Sequence, residues 1–129
     1  MKIVLIVTGV ILSIAVIGLI TLLIMDRDIR STVIREVDLS KVPDGEYKGH
    51  YHSGRWHNEV VISVKDNRIV TIKNINKLND NHAEKVVDEA INAMMATQSV
   101  KIDVISGASL NTRSFQRAVE DALKVGITE

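Results

Sequence analysis

Cysteine is absent from this chain, and aromatic residues make up only 3% of it. Without cysteine there can be no disulfide, thiolate metal site, cysteine nucleophile or lipoprotein-type acylation. The few aromatic residues leave little aromatic surface to bury in a core. Basic and acidic residues number 16 each, so the formal net charge is zero. No basic stripe is present, which argues against nucleic acid as a partner.

One long apolar run occupies the start of the sequence. From Ile3 to Met25 the run contains no charged residue and is interrupted only by Thr, Ser and Gly. An uncharged run longer than about 18 residues is typical of a membrane-spanning helix. A signal peptide has a shorter apolar region, of about 7–15 residues, and ends in a small-x-small cleavage site. The run offers no such site at its end, so an uncleaved anchor over residues 1–25 is favoured.

The orientation of this anchor is not decided by charge. Lys2 and the α-amino group precede the run, while Arg27 and Arg30 follow it. Acidic residues contribute little to the positive-inside rule, so the two sides balance. An N-terminal anchor of this type usually leaves the following domain outside the cell. We therefore expect an extracytoplasmic domain on a single-pass protein of the cytoplasmic membrane.

The remaining residues suffice for one small domain. Residues 26–43 are mixed and charged, and are interpreted as a juxtamembrane linker or a short helix. Pro43, the only proline, is followed by Asp44 and Gly45, which together indicate a turn and the start of a domain over residues 44–129.

Hydrophobic periodicity predicts three strands, a helix, a fourth strand and a final helix. The strands are expected at residues 47–51, 59–65 and 68–75, with Asp66 and Asn67 as a two-residue hairpin turn. A helix is predicted over residues 81–97, a strand over 100–105, and a last helix from Thr112. The fold class is α+β: a small antiparallel β-sheet with helices packed on it, preceded by one N-terminal transmembrane helix.

A hydroxyl-rich turn joins the fourth predicted strand to the last helix. Residues 103–109 read Asp-Val-Ile-Ser-Gly-Ala-Ser. The start of a helix carries unpaired N–H groups and a partial positive charge, so this turn is a natural phosphate site. The alternative is that Ser109, Asn111 or Thr112 only caps the helix.

The turn resembles the attachment motif of the FMN-binding domain family, which occurs in Rnf-complex G subunits and in the C subunit of sodium-translocating NADH:quinone reductase. The Asp-Gly-Glu-Tyr-Lys-Gly segment at residues 44–49 is similar to the opening of that family's domain. The resemblance implies that a flavin transferase joins FMN, through its phosphate, to the hydroxyl of Ser109. The family usually has Thr at this position and often another Thr where this chain has Asn111.

Two further residues have side chains suited to surround such a cofactor. Arg113 could pair with the phosphate, and Trp56 offers an aromatic face on which an isoalloxazine ring could stack. Trp56 could equally be an ordinary hairpin residue, and Arg113 a solvated one. The predicted cofactor-binding residues are Ser109, Asp103, Ser106, Gly107, Ala108, Asn111, Thr112, Arg113 and Trp56. We expect no catalytic residues and no metal site, and interpret His50, His52 and His57 as solvent-facing.

The function implied is that of a membrane-anchored flavoprotein relaying electrons through FMN, a redox-complex component more than a stand-alone enzyme. Its partners would be a flavin transferase, membrane redox proteins as electron donor and acceptor, and lipid around residues 3–25. The alternative is a flavin-free, membrane-tethered binding or assembly domain. The departures at Ser109 and Asn111 are what support that alternative.

Overall fold

The computed structural model describes residues 1–31, 33–54, 56–76, 81–102 and 109–128. These residues form three α-helices and three β-strands, with a short 3-10 turn at Leu39–Lys41. The helices are α1 (Lys2–Ser31), α2 (Asn81–Thr97) and α3 (Ser109–Thr128), and the strands are β1 (Gly45–Ser53), β2 (Trp56–Lys65) and β3 (Arg68–Asn74). The predicted α+β class is confirmed.

The three strands form one antiparallel sheet in the order β1-β2-β3. Asp66 and Asn67 connect β2 to β3 with φ angles of 51° and 62°. Two central residues with positive φ are the requirement of a type I′ hairpin, so the predicted turn is confirmed. At the opposite end of the sheet, Gly54 follows β1 with a φ of 56°. We call these two ends the Asn67 end and the Gly54 end.

The core lies between one face of the sheet and α3. Alternate residues of β2 are buried, among them Val60, Ile62 and Val64, because successive side chains of a strand point to opposite faces. The predicted stripe of α3 is confirmed in full, since its members are completely buried: Phe115, Ala118, Val119, Ala122 and Leu123. This central helix positions the candidate site.

Helix α2 has the bounds that the sequence predicts. It buries Val86, Val87, Ala90 and Met94. Gln98 follows it in the left-handed conformation, with a φ of 53°. The Gln98 side chain accepts a hydrogen bond from the Ile69 N–H at 2.7 Å and donates one to the Ile69 carbonyl at 3.1 Å. These bonds attach the end of α2 to the outer edge of β3.

Two predictions before α3 need correction. The helix begins at Ser109, three residues earlier than the predicted Thr112. Residues 100–102 were expected in a strand but have no strand pairing; residues 103–105 lie outside the described ranges. Side chains satisfy the backbone of Val100 instead of a neighbouring strand. Its carbonyl accepts from Gln116 at 2.9 Å, and its N–H donates to Glu36 at 3.3 Å.

Helix α1 contains a segment, Lys2–Met25, that is long and apolar enough to cross a membrane. The helix continues to Ser31, and Ile29 in this continuation is fully buried. Val37 and Val42 also belong to the core. The division into an anchor, a linker over residues 26–43 and a domain over residues 44–129 remains a prediction. The structure adds that the segment between anchor and sheet contributes apolar side chains to the core.

Candidate functional site

The proposed attachment residue, Ser109, is the first residue of α3. Four other predicted site residues, Asp103, Ser106, Gly107 and Ala108, lie outside the described residues. Their roles stay predictions. The location of the site therefore depends on where α3 begins relative to the sheet.

Three contacts define the direction of α3 along the sheet. Near the end of the helix, Gly126 lies against Tyr47, which is two residues into β1. In its middle, Ala118 and Ala122 lie against Gly49. Nearer its start, Ser114 accepts a hydrogen bond from the Asn58 side chain of β2. The helix therefore starts toward the Gly54 end, and Ser109 lies about 7.5 Å beyond Ser114 at 1.5 Å per residue.

Helix α2 starts toward the same end of the sheet. After β3, the Ile75 N–H donates to the Glu59 carbonyl at 2.9 Å, and the Asn76 side chain donates to the His57 carbonyl at 2.8 Å. The chain thus continues alongside β2 toward Trp56. At its other terminus α2 is attached to Ile69 through Gln98, near the Asn67 end. Both helices therefore direct their N termini toward the Gly54 end.

This arrangement favours an anion beside the start of α3. The first four N–H groups of a helix have no partner within the helix, and the helix dipole adds a partial positive charge there. The first turn of α3 contains no acidic residue, so no side chain within that turn neutralises this charge. A phosphate group fits such a helix start.

Asn111 and Thr112 lie inside α3, so neither is its N-cap residue. Thr112 is only 1% exposed, and Ser114 is fully buried. Their hydroxyl groups are therefore poor acceptors for an enzyme that must reach them. Arg113 opens the second turn, because the helix starts earlier than predicted. It stands four residues after Ser109, on the same face of the helix, and is half-buried.

The buried contact between Asn58 and Ser114 is a feature that the sequence did not suggest. Asn58 is 7% exposed and Ser114 fully buried, and their hydrogen bond links β2 to the first half of α3. Buried polar groups usually have such partners, because leaving one unsatisfied is costly. Trp56, two residues before Asn58, begins β2 and is half-buried. It lies at the Gly54 end, toward which Ser109 is also directed.

The three histidines of this region are exposed, as expected. His52 and His57 face each other across β1 and β2, with ring centroids 5.3 Å apart and an interplanar angle of 89°. His50 donates its backbone N–H to Asp121 at 3.0 Å. Within the described ranges, no three His, Cys, Asp or Glu side chains are grouped so that they could hold a metal ion.

Glu120 is a second buried polar residue that the sequence analysis missed. It is fully buried on α3, with Arg117 at 2.9 Å, Lys124 at 2.5 Å and the backbone N–H of Arg35 at 3.2 Å. Burial raises the pKa of this carboxyl, but the Lys124 ammonium, the Arg35 N–H and Arg117 together lower it below its usual 4.5. The sequence does contain a pattern that could have predicted these ion pairs, because basic residues at i−3 and i+4 flank Glu120. Its role is to join α3 to the segment after α1.

Comparison with protein families identifies the domain to which most of the sheet and the two following helices belong. The family model described as the FMN-binding domain matches residues 54–124, which is more than half of the chain. The match covers β2, β3, α2, the motif at residues 103–109 and most of α3, and it confirms the resemblance seen in the sequence. The Asp-Gly-Glu-Tyr-Lys-Gly segment at residues 44–49 precedes the matched range. Comparison with curated proteins gives no match.

Proposed function

Because this chain belongs to the FMN-binding domain family, we propose that it is a membrane-anchored flavoprotein that relays electrons through FMN joined covalently to Ser109. The observation that carries the attachment site is the start of α3 at Ser109. A helix start without acidic residues suits the phosphate of FMN. Flavin supplies reversible electron transfer, while the protein supplies position and environment.

The choice of Ser109 as acceptor is supported by the burial of its neighbours. Thr112 and Ser114 are the next hydroxyl-bearing residues of α3, and both are buried. A transferase could reach neither without opening the contact between α3 and the sheet. Ser109 is the first residue of α3 and precedes both of these buried residues. Arg113, one turn further on, is the proposed partner of a phosphate on Ser109.

The attachment of FMN to Ser109 would be a phosphoryl transfer. The Ser109 Oγ forms a bond to the phosphorus of FMN, and the hydroxyl proton leaves to a base. The bond that breaks is the phosphoanhydride of an activated flavin donor. The phosphate on the side of that bond away from the flavin departs as the leaving group. The product is a phosphoester, so the chain gains the mass of FMN less one water. A covalent bond would retain the cofactor where free FMN is dilute.

The proposal also includes a cellular location and protein partners. Lys2–Met25 would anchor the protein in the cytoplasmic membrane as a single span, with the domain on the extracytoplasmic side. The partners would be a flavin transferase and membrane redox proteins that donate and accept electrons. An anchor confines the flavin to a layer near these proteins and raises its effective concentration there. Trp56 is the proposed stacking partner of the isoalloxazine ring.

The test is to produce the full chain together with a flavin transferase and to look for covalent flavin. We expect in-gel flavin fluorescence after denaturing electrophoresis and an intact mass raised by FMN less one water. Ser109→Ala should abolish both signals. Ser109→Thr, which introduces the residue usual in the family, should retain them. Thr112→Val removes the neighbouring hydroxyl with little change of volume and should leave labelling unchanged.

Two outcomes would contradict the proposal in different ways. Absence of fluorescence in the wild type, while an active transferase labels Ser109→Thr, would mean that Ser109 is not accepted and would favour the flavin-free binding or assembly domain. Fluorescence that persists in Ser109→Ala but disappears in Thr112→Val would mean that the acceptor is Thr112.

A further inference from the structure

The apolar span ends against the tip of the β1–β2 hairpin. Met25 is the last residue of the span, and a Cβ atom added to Gly54 would lie 2.9 Å from its Cε atom and 3.4 Å from its Cβ atom. Gly54 therefore packs directly on the Met25 side chain. The end of the span and the tip of the hairpin are at the same level of the molecule.

The chain beyond Met25 runs from the Gly54 end to the Asn67 end, alongside α3. Ile29, one turn after Met25, is fully buried. Further on, the Arg35 N–H donates to Glu120 at 3.2 Å. Val42 then lies beside Gly126, with its Cγ1 atom 2.9 Å from the position of an added Cβ. The two contacts after Ile29 thus meet successively later residues of α3, so the chain approaches the Asn67 end as it leaves the span.

We propose that the Gly54 end of the domain is a membrane-contact surface, and that its ligands are the headgroups of the lipids around α1. The headgroup region is about 5–8 Å thick on each side of the hydrocarbon core. Trp56 is two residues from Gly54, which is at most about 7 Å of extended chain. Trp56 therefore lies within the headgroup layer, the depth at which Trp is enriched in membrane proteins.

The surface also has the polarity of an interfacial contact. His52 and His57 are exposed beside the tip, and Trp56 combines an apolar ring with an N–H donor. The N termini of α2 and α3 are directed to the same end, which adds partial positive charge toward lipid phosphates. Gly54 itself has no side chain to hold the domain away from the span.

This placement has a consequence for electron transfer that rests on the proposed function. Ser109 is directed to the Gly54 end, so a flavin attached there would be held beside the membrane surface. A redox partner must then present its electron-exchanging group at that surface. A membrane-embedded protein or a lipid-soluble carrier fits this requirement better than a soluble protein that approaches the Asn67 end.

The experiment uses Trp56 as a reporter, because it is the only Trp in the chain. The full chain, produced without a transferase so that it carries no flavin, is reconstituted in phosphatidylcholine vesicles and checked by flotation. Its Trp emission is then measured with nitroxide-labelled lipids in which the nitroxide sits either on the headgroup or at mid-chain. We expect the headgroup label to quench Trp56 about two-fold more strongly than the mid-chain label.

A matched control moves the reporter to the other end of the same strand. Trp56→Phe combined with Lys65→Trp places the single Trp nine residues away, about 30 Å along β2. Lys65 is exposed, so the change is expected to be tolerated. The headgroup label should quench this reporter about two-fold less strongly than it quenches Trp56, because the reporter lies about 30 Å further from the Gly54 end along β2.

Two kinds of result would contradict the proposed membrane contact. Equal quenching of the two reporters, or stronger quenching of Trp56 by the mid-chain label, would overturn the placement of the Gly54 end in the headgroup layer. Failure to float with the vesicles would overturn the membrane anchorage and this proposal together. Since the measurement is made without flavin, a failure of covalent attachment at Ser109 would leave its result unchanged.

Discussion

At the scale of single residues, Gly49 sets how near α3 can lie to β1. A Cβ atom at Gly49 would lie 2.3 Å from the Ala118 carbonyl oxygen and 2.3 Å from the Ala122 nitrogen. These are backbone atoms of a buried helix, so they cannot turn aside as a flexible side chain could. Gly49→Ala must push α3 away from the sheet.

We predict that Gly49→Ala lowers the free energy of unfolding by about 3 kcal/mol, at the upper end of the cost of overpacking. The measurement is thermal or denaturant unfolding of the full chain in detergent, followed by far-UV circular dichroism. Gly18→Ala is the control, because a Cβ atom there meets nothing within 4 Å. A Gly49→Ala protein as stable as the control would mean that α3 does not lie this close to β1.

Glu120, also a single residue, makes a pH-dependent contribution to the free energy of unfolding. Its folded-state pKa is lowered from 4.5, so the folded state binds a proton less readily than the unfolded state. The stabilisation is therefore complete above about pH 4.5 and is lost as the pH falls below that value. Glu120→Gln keeps the shape of the side chain but removes its charge. The partners Arg117 and Lys124 are partly exposed and can turn toward solvent.

We predict that Glu120→Gln destabilises the protein by about 1.5–3 kcal/mol at neutral pH, the range for hydrogen bonds to charged groups. The difference in free energy of unfolding between the variant and the wild type should narrow as the pH is lowered through 4.5. Denaturant unfolding at several pH values measures it. Glu89→Gln, on the exposed face of α2, should show neither effect. A difference independent of pH would mean that the Glu120 carboxylate is not ionised in the fold.

At the scale of elements, Gln98 connects the end of α2 to the edge of β3. Its conformation is unfavourable, because a residue other than Gly or Asn rarely has positive φ. Its side chain compensates through bonds to both backbone groups of Ile69 and to the Met95 carbonyl at 2.9 Å. The side chain thus occupies the place of a neighbouring strand at this residue of β3.

We predict that Gln98→Ala destabilises the protein by about 2–3 kcal/mol, since it loses these bonds but keeps the strained φ. Gln98→Gly loses the same bonds but relieves the strain, and should be more stable than Gln98→Ala by about 1 kcal/mol. Hydrogen exchange of the Ile69 amide should accelerate in both variants. If Gln98→Gly were the less stable of the two, the strained conformation would not be the cause.

The elements also show how much of the fold the sequence could predict. The Asp66–Asn67 turn, the bounds of α2 and the stripe of α3 depend on local rules of turn chemistry and periodicity, and all were predicted. Residues 100–102 alternate like a strand, but their backbone is satisfied by Gln116 and Glu36, which are distant in sequence. The contacts of Asn58 with Ser114 and of Met25 with Gly54 are equally non-local. No sequence pattern indicates them.

The candidate site also has features that local sequence predicts and features that depend on packing. The motif, and with it the choice of Ser109 as the candidate attachment residue, follows from sequence, because it depends on local order. The burial of Thr112 and the direction of α3 toward the Gly54 end depend on packing. Packing of α3 against the sheet, and not the order of residues in the motif, decides that the Thr112 and Ser114 hydroxyls are buried.

At the scale of the whole molecule, the end of α1 and the segment after it contribute to the core of the domain. Ile29 lies beyond the apolar span yet is fully buried, and Val37 and Val42 belong to the core. The segment after the span therefore stabilises the domain and is not only a tether. Burial of an Ile side chain contributes about 1.5–3 kcal/mol.

We predict that a soluble fragment beginning at residue 26 is more stable than one beginning at residue 33 by about 1.5–3 kcal/mol. Urea unfolding of both fragments measures the difference. Ile29→Ala in the longer fragment should reproduce most of the loss, while Val33→Ala, at a residue that is 72% exposed, should have little effect. Equal stability of the two fragments would mean that the domain does not pack on the end of α1. A domain that does not pack there would be free to turn relative to the membrane, and the Gly54 end would not be held at its surface.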